Sequence, residues 1–200
     1  MPTLLTLAVS FIAGLLSWSL LEYVLHRFAF HREVKQRTLH ERIFGARMAK
    51  EHLEHHAKVD WFIPLWQKLA VALPIIGGVF ALGMLIAAAT VASGITIGLL
   101  VGWIGYELIH RWIHVAEPRN AYGRWARKHH LSHHFGNAKL NHGVSSPIWD
   151  RVFGTYAPDA IVSVPRRHAP KFPWLLDDPN AELKQVKLRD TFEGAYRLVG

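Results

Sequence analysis

Two hundred residues suit one domain. Half of them are hydrophobic and none is cysteine, which excludes a disulfide scaffold and an iron–sulfur cluster. Lys and Arg outnumber Asp and Glu, 23 to 15, for a formal charge of +8 with histidine neutral, so an acidic partner surface is expected, either nucleic acid or anionic lipid.

From Met1 to Leu25 the only charged residue is Glu22. Leu4–Leu25 (residues 4–25) is 22 residues long, enough at ~1.5 Å each to cross a hydrocarbon core of about 30 Å. A cleaved leader is the competing reading, but the stretch lacks a basic start and runs without a break into Tyr23, His26 and Arg27. Residues 26–68 are basic and polar. From Leu69 to His110 the only charge is Glu107, and Leu69–Ile113 has the length of two spans, 69–91 and 95–113, joined by a tight hairpin at Thr90, Ser93 and Gly94. Pro74 stands early in the second span, where a kink or helix start is tolerated. Gly94, Gly98 and Gly102 recur every four residues in the third, a spacing that lets a neighbouring helix approach closely. Residues 114–200 are again basic. Their tail from Pro158 reads as a loop with a short helix near Ala181 to Leu188, either covering a site or simply ending the chain.

The expected fold is therefore all-α: an integral membrane protein of about three transmembrane helices with a histidine-rich helical cap formed by 26–68 and 114–200, the whole making one domain over 1–200. All Lys and Arg fall in two blocks, nine between Arg27 and Lys68 and fourteen between Arg111 and Arg197. Three spans put both blocks on one side, and the positive-inside rule makes that side cytoplasmic. With half the chain in the bilayer, the basicity describes a lipid-facing cap, and no nucleic-acid partner is expected.

Eleven of the fourteen histidines fall in four clusters: His26 with His31, His52 with His55 and His56, His110 with His114, and His129, His130, His133 with His134. His110 and His114 lie one turn apart on a helix, and both His-x-x-His-His triplets occupy one helical face, which aims several imidazoles at one point. His26 and His31, five apart, do not share the face of a straight α-helix, so the helix is expected to end between them, around Arg27 to Phe30. A lone histidine is more often a surface or hydrogen-bonded core residue, and a solvated basic face or a pH sensor is the alternative for the group. Four clusters at one membrane face favour a metal, because so many close rings cannot all protonate. Ten ligands exceed one ion's capacity and imply two. A di-nuclear centre with open positions fits O2 chemistry and iron, with zinc able to replace iron in purified protein.

Glu22, four residues before His26, and Glu107, three before His110, are candidates to accept the far N–H of a metal-bound imidazole; snorkelling to water is the alternative for each.

In this order the motifs HX4H (His26, His31), HX2HH (His52, His55, His56), HX3H (His110, His114) and HX2HH (His130, His133, His134), together with LEYVLHRFAFH and GVSSPIWDRVFGTY, resemble the fatty acid hydroxylase superfamily, which includes fatty acid 2-hydroxylases, sterol C4-methyl oxidases and sterol desaturases. The resemblance runs from about Leu21 to Tyr156. It implies a membrane oxygenase whose ten motif histidines hold two irons, inserting one atom of O2 into a C–H bond while supplied electrons reduce the other to water. It leaves His129 doubtful and gives His142 three readings: extra ligand, hydrogen-bond donor behind the ligands, or substrate contact. His40 and His168 lie outside every motif and read as surface residues. Two or more helices commonly precede the first motif in that superfamily, whereas one fits here.

His26 and His114 end spans, so the metals are expected near headgroup depth, where a bilayer-borne acyl chain presents carbons near its polar end. This favours hydroxylation beside a carboxyl or amide. Trp103, Tyr106, Trp112, Trp149 and Phe153 are candidates to line the access route or to anchor at the interface. A sterol or carotenoid hydroxylase or desaturase is the nearest rival, and a metal transporter or sensor is the rival from another class, although it would want ligands along a path through the bilayer. No GxGxxG follows a strand and there is little chain for a haem domain, so electrons are expected from a separate donor, a cytochrome b5 type or a ferredoxin with its reductase, attracted by the basic face.

Overall fold

The computed structural model describes residues 2–31 and 46–200; His40 therefore lies outside the described residues. Among these, three helices are long and apolar enough to cross a membrane: Thr3–Phe30, Leu65–Ile86 and Ala89–Val115. The protein is an integral membrane protein, mostly helical. Its elements are α1 (Pro2–Val24), α2 (Ala46–Ala57), α3 (Leu65–Ile86), α4 (Ala89–Val115), α5 (Ala121–Phe135) and α6 (Ile148–Val152), followed by strands β1 (Val162–Pro165) and β2 (Tyr196–Val199). They divide into two compact units, Met1–Glu22 with Phe62–Leu108 and Tyr23–Trp61 with Ile109–Gly200.

In the first unit, α3 has no buried residue although its sequence is almost wholly apolar, and Leu85 and Ile86 are about four-fifths exposed. Such a helix is at home only in lipid. Pro74 is accommodated inside it. The turn between α3 and α4 falls at Ala87 and Ala88 rather than at Ser93 and Gly94. The reason is packing: Gly94, Gly98 and Gly102 are contact points for α1. A Cβ on Gly98 would stand 2.2 Å from the Phe11 carbonyl oxygen and 2.9 Å from Gly14 Cα, and one on Gly94 would stand 2.5 Å from Ser10 Cβ. Small residues here let two backbones meet, the use of that spacing known for membrane helices.

In the second unit, Asn120 caps α5 by accepting a hydrogen bond from the Gly123 N–H at 2.7 Å, and Gly136 ends it. The inner face of α5 presents Leu131 to a core of Val59, Val162, Phe172, Trp174 and Tyr196. β1 and β2 form one short parallel ladder, with Val162 opposite Tyr196 and Val164 opposite Leu198. The tail is thus a folded part of the cap. The short helix expected over Ala181 to Leu188 is absent: Leu188 bridges Leu176 in antiparallel fashion, and Val186 is buried with Ala169 and Leu176. Seating Val186 in the core while Leu188 pairs with Leu176 demands a two-residue repeat, which overrides the helical pattern of that stretch.

Candidate metal centre

Beyond Val24 the helix does not stop. It widens into a π-helical turn, Leu25–Phe30, ending at His31. A π turn bonds i to i+5, so residues five apart come to one side. The His26 and His31 rings stack with centroids 5.3 Å apart. The expected helix end between them is replaced by this turn, whose wider winding brings together what α-helical spacing separates.

The ten motif histidines meet in two groups of five: His26, His31, His52, His56 and His133, and His55, His110, His114, His130 and His134. In each group one ligand-capable nitrogen per ring lies within 4.8 Å of all the others. Each His-x-x-His-His triplet serves both groups, so the rings of one triplet converge on two points and not on the single point that spacing suggested. Residues i and i+4 are about 40° apart on a helix, while i+3 lies about 60° to the other side.

The nitrogens face one another. His52 Nε2 is 3.2 Å from that of His26, 2.9 Å from that of His31 and 3.0 Å from that of His56. His130 Nε2 is 3.1 Å from that of His110 and 3.0 Å from those of His114 and His134. Several far nitrogens are committed elsewhere. His26 Nδ1 donates to the His142 carbonyl, His133 Nδ1 to the Leu140 carbonyl at 2.8 Å, and His55 Nδ1 to the Trp61 carbonyl at 2.8 Å. A neutral imidazole carries one proton, so protonation at Nδ1 leaves the inward Nε2 as a bare lone pair. Lone pairs crowded on one point repel unless a cation sits among them. Nitrogens about 2.1 Å from one ion and at right angles would be about 3.0 Å apart, close to the observed separations.

The electrostatics agree. Burial pushes His31 down to about 4 and His56 to about 3. Burial, reinforced by neighbouring imidazoles, holds His52, His130, His133 and His134 well below the ordinary histidine range. These rings are therefore neutral at physiological pH, the form that binds a metal. Both groups can accept a metal ion by donor type, number and protonation.

Comparison with known proteins follows the same residues. A family model described as "Fatty acid hydroxylase" matches residues 11–155, which contain all ten. The chain belongs to the fatty acid hydroxylase family. It is 33% identical over 156 residues to dihydroceramide fatty acyl 2-hydroxylase FAH2 of Arabidopsis thaliana, covering 71% of this chain and 58% of that protein. It is 32% identical over 151 residues to fatty acid 2-hydroxylase of Homo sapiens, covering 74% and 40%. A solved structure described as full-length scs7p with only the hydroxylase domain visible superposes with TM-score 0.58 at 29% identity, over 76% of this chain and 57% of that one. The chain spans about half the length of the curated relatives it matches.

In this member of the fatty acid hydroxylase family, His129 stands apart from both groups, its Nε2 3.2 Å from Asp150 Oδ2. The His142 ring donates from Nε2 to the Lys139 carbonyl, 3.0 Å away, and it is the His142 backbone carbonyl that reaches His26. His168 is half-buried against Phe135, with ring centroids 5.6 Å apart. Glu107 is ion-paired to Lys68 within its own unit, and Glu22 is buried. Trp112 lies under the Arg127 guanidinium, 4.0 Å from ring centroid to Cζ, which makes it a packing residue.

Sequence reasoning missed two residues. Arg127 is fully buried and donates to the carbonyls of Trp112, Ala116 and Gly123. Asp150 is fully buried and accepts from the backbone of His142 and Gly143, from Thr155 and from His129. Burial raises the Asp150 pKa, but these donors outweigh it and hold the carboxyl below its ordinary value. Neither stood out in the sequence, since Arg127 lies among Arg124, Lys128 and His129 and Asp150 is followed by Arg151.

Proposed function

We propose that this chain is a membrane-bound, O2-dependent hydroxylase that inserts oxygen into a C–H bond of a lipid, a fatty acyl chain near its polar end. In it the ten grouped histidines hold two iron ions, five to each. The observation that carries the reading is the pair of five-nitrogen groups built from neutral imidazoles. The names of the relatives, fatty acid and ceramide hydroxylases, supply the reaction class.

Iron held by these two groups of histidines would supply the activation of O2 that oxidation of an unactivated methylene needs, chemistry no side chain offers. The protein supplies the rest. Backbone carbonyls of Trp61, Leu140 and His142 take the outer protons of His55, His133 and His26, which fixes each ring's tautomer and direction. Phe30, stacked 5.1 Å from His52, and Phe172, stacked 6.0 Å from His114, help keep water from the rings. Imidazole is a neutral donor, so an ion held by these ten residues would retain its positive charge. His26, His110 and His114 lie at the ends of candidate spans, which supports a site at headgroup depth and oxidation near the carboxyl or amide of the acyl chain. The cap and its histidines face the cytoplasm in this reading, because both basic blocks lie on one side. There the basic surface attracts an acidic electron donor, a cytochrome b5 or a ferredoxin with its reductase.

Lipid mass spectrometry of cells with and without the chain tests this. A lipid class heavier by one oxygen atom, bearing the hydroxyl beside the carboxyl or amide, is expected with the wild type and absent with His133→Ala. Product persisting at normal levels in that variant would overturn the assignment.

A further inference from the structure

The segment Leu140–Gly143 is not a passive connector. Its Leu140 carbonyl accepts from His133 Nδ1 and its His142 carbonyl accepts from His26 Nδ1, so two histidines of the first group, from different helices, are oriented by alternate carbonyls of one short stretch. Asn141 between them has φ 59°, the left-handed conformation that asparagine tolerates better than most residues. Its side chain is clamped on both sides, donating to the Ala157 carbonyl at 3.0 Å and accepting from the Ala157 N–H at 2.8 Å.

Asp150 pins the other end. Its Oδ1 accepts from the His142 N–H at 2.8 Å and from Thr155 Oγ1 at 2.7 Å, and its Oδ2 accepts from the Gly143 N–H at 2.7 Å and faces His129 Nε2 at 3.2 Å. The approach needs glycine at 143, where a Cβ would meet the Ser146 carbonyl oxygen at 2.1 Å and Asp150 Oδ2 at 2.9 Å. A carboxylate with four donors converging on it has no freedom to rotate, and neither has the peptide that carries the His142 carbonyl. His55 of the second group is oriented instead by the Trp61 carbonyl.

We propose that Asp150 is a positioning residue for one metal site only, the His26 group, acting through the backbone of His142 and Gly143 with Asn141 as its partner clamp. The proposal rests on the two-ion reading above and adds an asymmetry to it. Residues that orient ligands from behind are typically worth about 10- to 100-fold in metal affinity. Asp150→Asn replaces one oxygen by an N–H2 that faces donors, so it frees one edge of the loop while keeping the side chain's size.

The test is metal retention by the full chain in detergent micelles, loaded with iron and titrated with a chelator, with the metal-to-protein ratio read by elemental analysis. Wild type is expected to hold two ions. Asp150→Asn should release one at roughly 10- to 100-fold lower chelator and keep the other at the wild-type level. Adding His26→Ala should cost no further ion, whereas adding His110→Ala should strip both sites. Asn141→Gly, which keeps the left-handed backbone and removes the clamp, should weaken the same ion, and it carries the comparison if Asp150→Asn does not accumulate. Retention of both ions as in wild type, or equal weakening of both, overturns the proposal. A wild type that binds fewer than two ions would instead sink the two-ion reading before any variant is compared.

Discussion

Replacing Arg127 by methionine probes how the cap holds one end of α4. The guanidinium is wholly buried, donates from Nε to the Ala116 carbonyl at 2.8 Å, from Nη2 to the Trp112 carbonyl at 2.8 Å and from Nη1 to the Gly123 carbonyl at 3.0 Å, and lies between Trp112 and Trp174. No carboxylate pairs with it among the described contacts; burial lowers its pKa to about 10, which leaves it charged at neutral pH. A cation at the carboxyl end of α4, the helix bearing His110 and His114, also opposes the helix dipole favourably. Two of the three carbonyls have other donors: Trp112 O accepts from the Ala116 N–H at 3.1 Å, and Gly123 O belongs to the ladder of α5. Methionine therefore strands chiefly the Ala116 carbonyl, at a cost of about 1–3 kcal/mol, and loses a desolvated cation–π contact worth about 2 kcal/mol. At about 2–4 °C per kcal/mol for a chain of this size, the unfolding midpoint in detergent should fall by roughly 10 °C. Arg127→Lys should recover little, because an ammonium cannot fork between Trp112 and Ala116. A fall of less than about 3 °C in Arg127→Met would refute the reasoning and show that relief of guanidinium desolvation dominates.

Gly98→Ala should destabilise the membrane unit by about 1–3 kcal/mol, since the new Cβ meets the Phe11 carbonyl, whereas Gly105→Ala, which meets nothing within 4 Å, should be neutral or stabilising by up to about 1 kcal/mol; thermal unfolding in micelles ranks them. Acid should loosen the metal-free cap: burial holds His31 at about 4 and His56 at about 3, below the roughly 6.5 of an unfolded chain, so between those limits the unfolded state binds protons the folded state refuses. Stability is then full above pH ~6.5 and lost as pH falls from there through the folded values, by at most about 1.4 kcal/mol per histidine per pH unit and less for half-buried rings; a midpoint flat from pH 7 to pH 4.5 would contradict this. Chelation at neutral pH should remove about 2.7 kcal/mol of stability for each site previously held at a free-ion concentration about a hundred times its dissociation constant, lowering the unfolding midpoint, with re-addition of iron restoring it. Turnover coupled to a protein donor should fall with ionic strength, while turnover with a small neutral reductant should not; equal salt dependence would remove the electrostatic docking argument.

The spans were legible because charge is expensive in lipid, so its absence from residues 1–21 and 69–106 marks them without any structural knowledge. Where the second span turns into the third was not legible. Ser93 and Gly94 look like turn residues in isolation, and only the approach of Ser10 to Gly94 shows that smallness there serves helix contact. The same holds for the cap's tail, where Val186 and Leu188 are extended because of partners far away in the chain. Asp150 and Arg127 were invisible for a related reason. Their roles consist of hydrogen bonds to backbone, and backbone atoms carry no letter in a sequence.

That the ten motif histidines would gather was legible residue by residue, but their partition into two groups was not drawn from the spacing, although the spacing contains it. On α2, His52 and His56 point one way and His55 another; on α5, His130 and His134 point one way and His133 another. The two helices exchange members: α2 gives two rings to the first group and one to the second, and α5 gives one and two. His26 and His31 complete the first group, and His110 and His114 complete the second. The three rings of either triplet splay across about 100° of helix surface, so they do not converge on one point. The shared helices also explain why neighbours in sequence are not equivalent: His55 and His56 differ by one position and serve different groups, as do His133 and His134. Rings from α2 and α5 thus enter both groups, while the π turn and the end of α4 each bring the last two rings to one group only.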